Sequence, residues 1–253
     1  MAERLKITYL TTDDPIYLPA FFERVLERQA DRTEAVYVVP PLYKRQTSAE
    51  AAIRYARTFG VGAAAQLSGR VLAAKLKRVS IAATCARRRV RCEEVGDVNA
   101  PGFLERLRRE GAGVLVSVSC PQIFKRPLIQ LPRHGILNIH GAILPQYRGV
   151  MPSFWMMANG ERQAGVTIYF VDEKIDSGEM VGQRTFEILP DESLDGFLRR
   201  SKAIAADLLL DVLERLEAGA LDRRPIDLKA GSYYSWPDLG AVRRFRGTGR
   251  KLW

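Results

Sequence analysis

Apolar residues recur along this chain with two spacings, and the alternation between them sets the expected architecture. The run "LKITYL" (Leu5–Leu10) is short and densely apolar, as in a buried strand, and "TTDDP" is expected to end it. From Leu18 to Gln29 the spacing changes, and Phe21, Phe22, Val25 and Leu26 fall on one helical face. "AVYVV" (Ala35–Val39) returns to strand. Strand, helix and strand in succession favour a mainly parallel sheet. Thr47 to Ser80 is alanine-rich and basic, broken by Gly60, Gly62 and Gly69, and reads as two helices. Leu72, Leu76 and Val79 line one face of the second. Such a stripe usually meets a core, and on a basic helix it also suits an acidic lipid surface. "PGFLERLRREG" predicts a helix stopped at Gly111, "GVLVSVS" a central strand, and "CPQIFKRPLIQL" a loop with one helical turn. Pro152 opens a helix that runs to Ala158. "AGVTIYFVD" and "MVGQRTFEI" are two further strands. A long helix starts near Ser193, its buried stripe marked by Leu194, Phe197, Leu208, Leu209 and Val212. The expected fold class is α/β, a mainly parallel sheet with helices on both faces. Residues 1–218 are expected to form one domain that includes a basic helical segment at about 47–91, and residues 219–253 a short aromatic and basic extension.

One strand breaks the apolar pattern. In "LNIHGAILPQYRG" (Leu137–Gly149), Asn138 and His140 sit two apart and therefore share a face. Two polar side chains on one face of a core strand are costly to bury unless something satisfies them. They lie near the C-terminal end of the strand, where functional sites gather in open α/β sheets. Asp176, in "KIDSGE" between the two later strands, can return its carboxylate toward the imidazole if those strands pack beside this one.

Composition narrows the class. A hydrophobic content of 47% and a charged content of 27% are ordinary for a globular protein. No run approaches the roughly 20 apolar residues that span a bilayer, and "MAERLKITYLTT" lacks a secretory apolar core, so a cytoplasmic location is expected. Cys85, Cys92 and Cys120 have no paired spacing, and His134 and His140 are the only histidines, so neither a disulfide framework nor a metal is expected. The net charge of +10 is uneven: Lys44 to Glu110 holds fifteen Lys or Arg against six Asp or Glu, peaking at "CARRRVRC". This suits a solvated helical face, or attraction to anionic small molecules, acidic lipid or RNA. No base-stacking aromatic signature accompanies it, which ranks RNA last. GxGxxG after the first strand, GxxxxGK[ST] and GxSxG are all missing, which disfavours dinucleotide redox, phosphate-loop and α/β-hydrolase chemistry.

No serine or cysteine nucleophile is bound into the Asn138–His140–Asp176 set. The trio suits direct attack of a substrate amine on a carbonyl. Asn138 and a protonated His140 can donate to the developing oxyanion. Asp176 can orient the ring, favour its charged form and help move protons through water. Each residue also has an ordinary reading: a satisfied core histidine, a turn-capping asparagine, an Asp-Ser-Gly turn.

The stretch "ILNIHGAILPQYRGVMPSFWMMANGERQAGVTIYFVDEKIDSGEMV" resembles the core motif of folate-dependent formyltransferases, a superfamily that includes glycinamide ribonucleotide, methionyl-tRNA and sugar N-formyltransferases. The shared pattern is Asn-x-His, here Asn138 and His140, a Leu-Pro-x-x-Arg-Gly loop, here "LPQYRG", and Asp-x-Gly, here Asp176 and Gly178. The strong match runs from about Gly113 to Ile188. The resemblance implies a Rossmann-like fold, 10-formyltetrahydrofolate as donor, and Asn138, His140 and Asp176 as the catalytic set. It implies that the donor is held by Cys120, Pro121, Gln122, Ile123 and Phe124 after the central strand and by the loop beginning at Val171 and Asp172. Some relatives carry a second histidine where Tyr169 stands here. Tyr169, with Tyr147, Arg148 and Gly149, is a candidate for acceptor contact, Arg148 through an acceptor phosphate or carboxylate.

The expected acceptor is a small, anionic amine: an amino sugar or a nucleotide-linked amino sugar. The alternatives are glycinamide ribonucleotide or a natural-product precursor, or a non-catalytic folate-binding or membrane-surface role. Methionyl-tRNA formyltransferases usually carry a further C-terminal domain, which the short tail here could not form, so tRNA is disfavoured. Tyr233, Tyr234 and Trp236 in the tail suit either stacking on a base or sugar, or a strand pair that seals the sheet edge. A homodimer and peripheral contact with acidic membrane stay open.

Overall fold

The computed structural model describes residues 4–40 and 48–253. Lys44, Arg45 and Thr47, part of the basic stretch, lie outside the described residues. The chain runs β1 (Ile7–Thr12), α1 (Leu18–Gln29), β2 (Thr33–Val39), α2 (Ser48–Phe59), α3 (Val61–Leu76), α4 (Ile81–Arg87), β3 (Cys92–Glu94), α5 (Pro101–Glu110), β4 (Val114–Val118), α6 (Arg126–Ile129) and β5 (Ile136–His140). It continues through β6 (Arg148–Gly149), α7 (Pro152–Ala158), β7 (Gln163–Phe170), β8 (Glu179–Glu187), α8 (Leu194–Glu217), β9 (Arg224–Pro225), β10 (Tyr233–Tyr234) and α9 (Leu239–Gly247).

Eight strands form one sheet in the order β3-β2-β1-β4-β5-β7-β8-β9. The pairs from β3 to β5 are parallel, and β5–β7, β7–β8 and β8–β9 are antiparallel. Strand alternation divides the core. Ile7, Tyr9, Val36, Val116, Leu137 and Ile139 pack with α1 and α8, and Leu10, Tyr37, Leu115 and Ile136 pack with α5 and α6 on the other face. This is the mainly parallel α/β architecture with helices on both faces.

Several elements depart from the pattern reading. β1 continues through Thr11 and Thr12 because Thr11 is buried with its hydroxyl satisfied by the carbonyl of Val118 at 2.9 Å in the neighbouring strand. A threonine satisfied this way is no strand terminator. The real turn starts at Asp14, whose carboxylate accepts from the amides of Ile16 and Tyr17. The short strand β3 and the tail helix α9 carried no legible signal. The stripe of Leu72, Leu76 and Val79 on α3 is exposed and covers no core.

Candidate active site

The trio begins with strand register. Leu137 and Ile139 point toward α1 and α8, so Asn138 and His140 point to the opposite face, in line with Ile136. Antiparallel β7 sets Tyr169 directly across from Asn138 and Thr167 across from His140. Directly paired residues share a face, which brings the tyrosine ring beside the amide. The β7–β8 connection then folds back on itself. Gly178 permits this, because a Cβ there would lie 1.7 Å from the carbonyl oxygen of Phe170. Asp176 takes a left-handed conformation with φ of 50°, which turns its carboxylate toward the strands.

The resulting hydrogen bonds form a chain. Asn138 Nδ2 donates to Tyr169 Oη at 2.8 Å, and Tyr169 Oη donates to Asp176 Oδ1 at 2.7 Å. Asp176 Oδ2 accepts from the backbone N–H of Gly149 at 2.8 Å. A phenol has one proton, and here it goes to the carboxylate, so the amide must present its NH2 side to the ring oxygen. One amide N–H of Asn138 remains. Burial, and then the charge of Asp176, push the Tyr169 hydroxyl well above its ordinary range, which keeps it a neutral donor.

His140 is buried, 6% exposed. Its Nε2 lies 2.8 Å from the carbonyl oxygen of Tyr147. A carbonyl only accepts, so Nε2 carries a hydrogen in either charge state. Any proton this ring gains or loses is therefore on Nδ1. That atom faces Asp176 Oδ1 at 3.7 Å, too far for a direct hydrogen bond.

The loop between β5 and α7 is braced by the tail. β10 pairs in parallel with β6, matching Tyr233 to Arg148 and Tyr234 to Gly149. Gly149 has φ of 96°, and a Cβ on it would lie 2.2 Å from the Tyr234 carbonyl oxygen. Tyr147 turns inward: its ring stacks on Tyr234 at 5.1 Å, its hydroxyl donates to Glu161, and its amide donates to Ser232 Oγ. Arg148 has its Nε buried with no hydrogen-bond partner among the described residues, and its guanidinium lies 6.0 Å from the exposed Tyr233 ring. Nothing in the sequence pattern pointed to the Tyr147 carbonyl or Ser232, because they depend on left-handed backbone at Tyr147 (φ of 58°) and on a contact across 85 positions. Tyr233 and Tyr234 do form a strand, as one of the two tail readings expected, but it pairs with β6 and not with the edge of the main sheet.

The expected donor loops lie side by side. Cys120, Phe124 and Val171 pack against the α5-side cluster, and Arg126 meets Glu173 at 3.6 Å across the two loops. Burial pushes the Cys120 thiol up to about 11, which leaves it without nucleophilic character. Pro121 is half-buried beside it. Gln122 is committed to structure, accepting from Val98 N–H at 2.9 Å and donating to the Gly96 carbonyl at 2.6 Å. Asp172 accepts from the amide of Lys174 and from the Ser177 hydroxyl. Ile123 and Ile175 are exposed, and Phe124 and Val171 are half-buried. Two surface concavities, one at Arg108, Arg126 and Leu131 and one at Phe59, Gln66 and Phe245, include none of the trio.

Chemically, the arrangement offers one free amide N–H and one titratable imidazole nitrogen on a single strand face, with a carboxylate held behind them. Groups of these types, so placed, can stabilise an oxygen gaining negative charge and can take a proton from an attacking nucleophile.

A family model described as formyl transferase matches residues 58–213, a wider span than the Gly113–Ile188 motif region. Methionyl-tRNA formyltransferase of Geobacter metallireducens is 35% identical over 130 residues, covering 51% of this chain and 42% of the relative. The chain spans less than half the length of the curated relatives it matches. Among solved structures, an N-formyltransferase from Helicobacter canadensis in complex with folinic acid and dTDP-3-aminofucose superposes with a TM-score of 0.59 at 16% identity, covering 92% of this chain and 71% of that one. Glycinamide ribonucleotide transformylase 1 from Symbiobacterium toebii gives 0.61 at 16% identity, covering 88% and 94%. At such identities the likeness is one of fold.

Proposed function

This chain belongs to the formyl transferase family, and from that membership we propose that it moves a formyl group from 10-formyltetrahydrofolate to the amine of an anionic small molecule, an amino sugar carried on a nucleotide. The observation that carries the reading is the convergence of Asn138, His140 and Asp176, linked through Tyr169 and the Gly149 amide.

The acceptor amine attacks the formyl carbon, and the formyl oxygen takes on negative charge. The free amide N–H of Asn138 and a protonated His140 Nδ1 donate to that oxygen. Asp176 balances the imidazolium and, through water, takes the proton that the amine must lose. The tetrahedral intermediate then collapses: the C=O bond re-forms as the bond to the folate nitrogen breaks, and that nitrogen leaves with the proton the amine gave up. Asp176 is held ready for this by two fixed donors, so little reorganisation is needed. Ile123, Ile175, Phe124 and Val171 supply the apolar wall for the donor. The buried, unpartnered Nε of Arg148 beside exposed Tyr233 suits a phosphate next to a sugar or base. The fold likeness to a structure that holds folinic acid and dTDP-3-aminofucose supports both ligand classes.

A second reading, formylation of an aminoacyl-tRNA, is supported by relatives that are methionyl-tRNA formyltransferases. One assay separates the two. The full chain is incubated with 10-formyltetrahydrofolate and, separately, dTDP-linked amino sugars, glycinamide ribonucleotide and methionyl-tRNA. Tetrahydrofolate release and the mass of the formylated product are followed. Turnover with an amino-sugar nucleotide and none with methionyl-tRNA is expected. Faster turnover of methionyl-tRNA replaces the first reading with the second, and no donor cleavage with any amine removes both.

A further inference from the structure

The chain's whole net charge of +10 resides in one stretch: residues 51–92 hold ten Lys or Arg and no Asp or Glu, and the rest is balanced. Part of that charge is used inside the fold. Arg70 pairs with Asp195 at 2.7 Å and lies over the Trp253 ring, Arg87 and Arg88 share Glu23, and Arg91 pairs with Glu110. Lys75, Lys77, Arg78 and Arg89 are exposed and make no ion pair among the described residues.

Helix α3 buries none of its residues. Its half-buried positions, Ala63, Ala64, Leu67, Arg70, Val71 and Ala74, recur at helical spacing and mark the side turned to the protein. The opposite, exposed side carries Val61, Ala65, Leu72, Ala73 and Leu76, edged by Gln66 and Ser68, with Lys75 its one charge. A surface helix ordinarily presents charge to water and apolar groups to the core. Here the order is inverted. Val61 is 78% exposed, Leu72 58% and Leu76 77%, and Val79, in the turn that follows, 42%. The Arg70–Asp195 pair anchors the inner side, so the C-terminal half of α3 offers its leucines outward beside Lys75, Lys77 and Arg78.

We propose that α3 and the turn after it rest on an anionic lipid surface, with Leu72, Leu76 and Val79 sunk among the lipid chains and Lys75, Lys77 and Arg78 on the headgroup phosphates. Exposed apolar side chains next to cations that pair with no acid among the described residues match the two attractions that hold an interfacial helix. RNA satisfies the cations and gives the leucines nothing to enter. A second copy covers the leucines and sets like charges together. No helix among the described residues is long and apolar enough to cross a membrane, so the contact is peripheral. The inference stands apart from the formyl-transfer reading, because none of these residues belongs to the candidate active site.

The test is co-sedimentation of the full chain with vesicles of phosphatidylcholine alone and of phosphatidylcholine mixed with phosphatidylglycerol, at low and high salt. The mixed vesicles are expected to bind it and the neutral ones to bind it weakly. Leu72→Ser together with Leu76→Ser should lower partitioning about a hundredfold, roughly tenfold per leucine. Each of Lys75→Glu, Lys77→Glu and Arg78→Glu should lower it by about fivefold or more. Unchanged circular dichroism and melting midpoint show that these variants fold. Tryptophan emission from Leu76→Trp should shift to the blue on mixed vesicles. The proposal is overturned by no binding to mixed vesicles at low salt, by binding that the leucine pair leaves unchanged, by competition in which duplex RNA strips the protein from vesicles, or by a dimer in light scattering that the leucine substitutions dissolve.

Discussion

Tyr169 ties the candidate site together through a single proton. Its hydroxyl gives that proton to Asp176 and accepts from Asn138, which fixes both the carboxylate and the amide. Tyr169→Phe keeps the buried ring and removes both bonds, leaving a carboxylate oxygen short of a donor. Its kcat is expected to fall about 10- to 100-fold, with the melting midpoint moved by only a few degrees. Equal kcat in the two proteins would separate Tyr169 from the chemistry. His140→Ala is expected to lose about 10²- to 10⁴-fold in kcat while donor binding, read by ligand fluorescence, persists. Retained turnover in that variant would end the role given to the ring. Asn138 and His140 were legible in the sequence because two polar residues two apart on an apolar strand demand an explanation. The bridge by Tyr169 was not, because it depends on the pairing of β5 with β7 and its one-to-one register. Nor was the commitment of His140 Nε2, which rests on a backbone carbonyl set by the left-handed residue Tyr147.

The loop that carries Arg148 and Gly149 depends on a strand far along the chain. Tyr234 stacks on Tyr147, and β10 pairs with β6, so the tail holds the carbonyl that meets His140 and the amide that meets Asp176. Tyr234→Ala is expected to reduce kcat more than it raises KM, since it loosens groups that act on the reacting atoms. A change confined to KM would place the tail in acceptor binding alone. Gly149→Ala meets both a left-handed backbone and the Tyr234 carbonyl. Its melting midpoint should drop by roughly 5–10 °C, measured by calorimetry. An unchanged midpoint would mean that the brace bears no strain. The elements best read from sequence were those with local signals: α1 from its apolar spacing, α5 from Gly111, α7 from Pro152 and α8 from the Ser193 cap. β3 and β10 hold three and two residues, too short for periodicity. The α9 helix lay hidden in a stretch dominated by arginine and glycine.

Across the molecule, the parallel strands β3 to β5 and the antiparallel strands that follow meet at the candidate site, with β5 as the shared border. The parallel half was legible from the strand–helix alternation. The antiparallel half was not read from the sequence, although the short connection between β7 and β8 leaves no room for a crossover helix. The charge asymmetry has its own consequence for the whole chain. A field of one sign raises the local concentration of an oppositely charged acceptor. KM for an anionic acceptor is therefore expected to rise several-fold between low and physiological salt, while KM for an uncharged amine stays level. Parallel salt responses would remove steering from the account.

The sharpest check is a double-mutant cycle on the transfer step, with single-turnover rates for His140→Ala, Asp176→Asn and the pair together. Three groups acting on one formyl carbon form a unit, so the double variant should be about as slow as the slower single variant. Losses that multiply independently, or a double variant that still transfers formyl at the parent rate, would show that the imidazole and the carboxylate do not serve the same reacting atom.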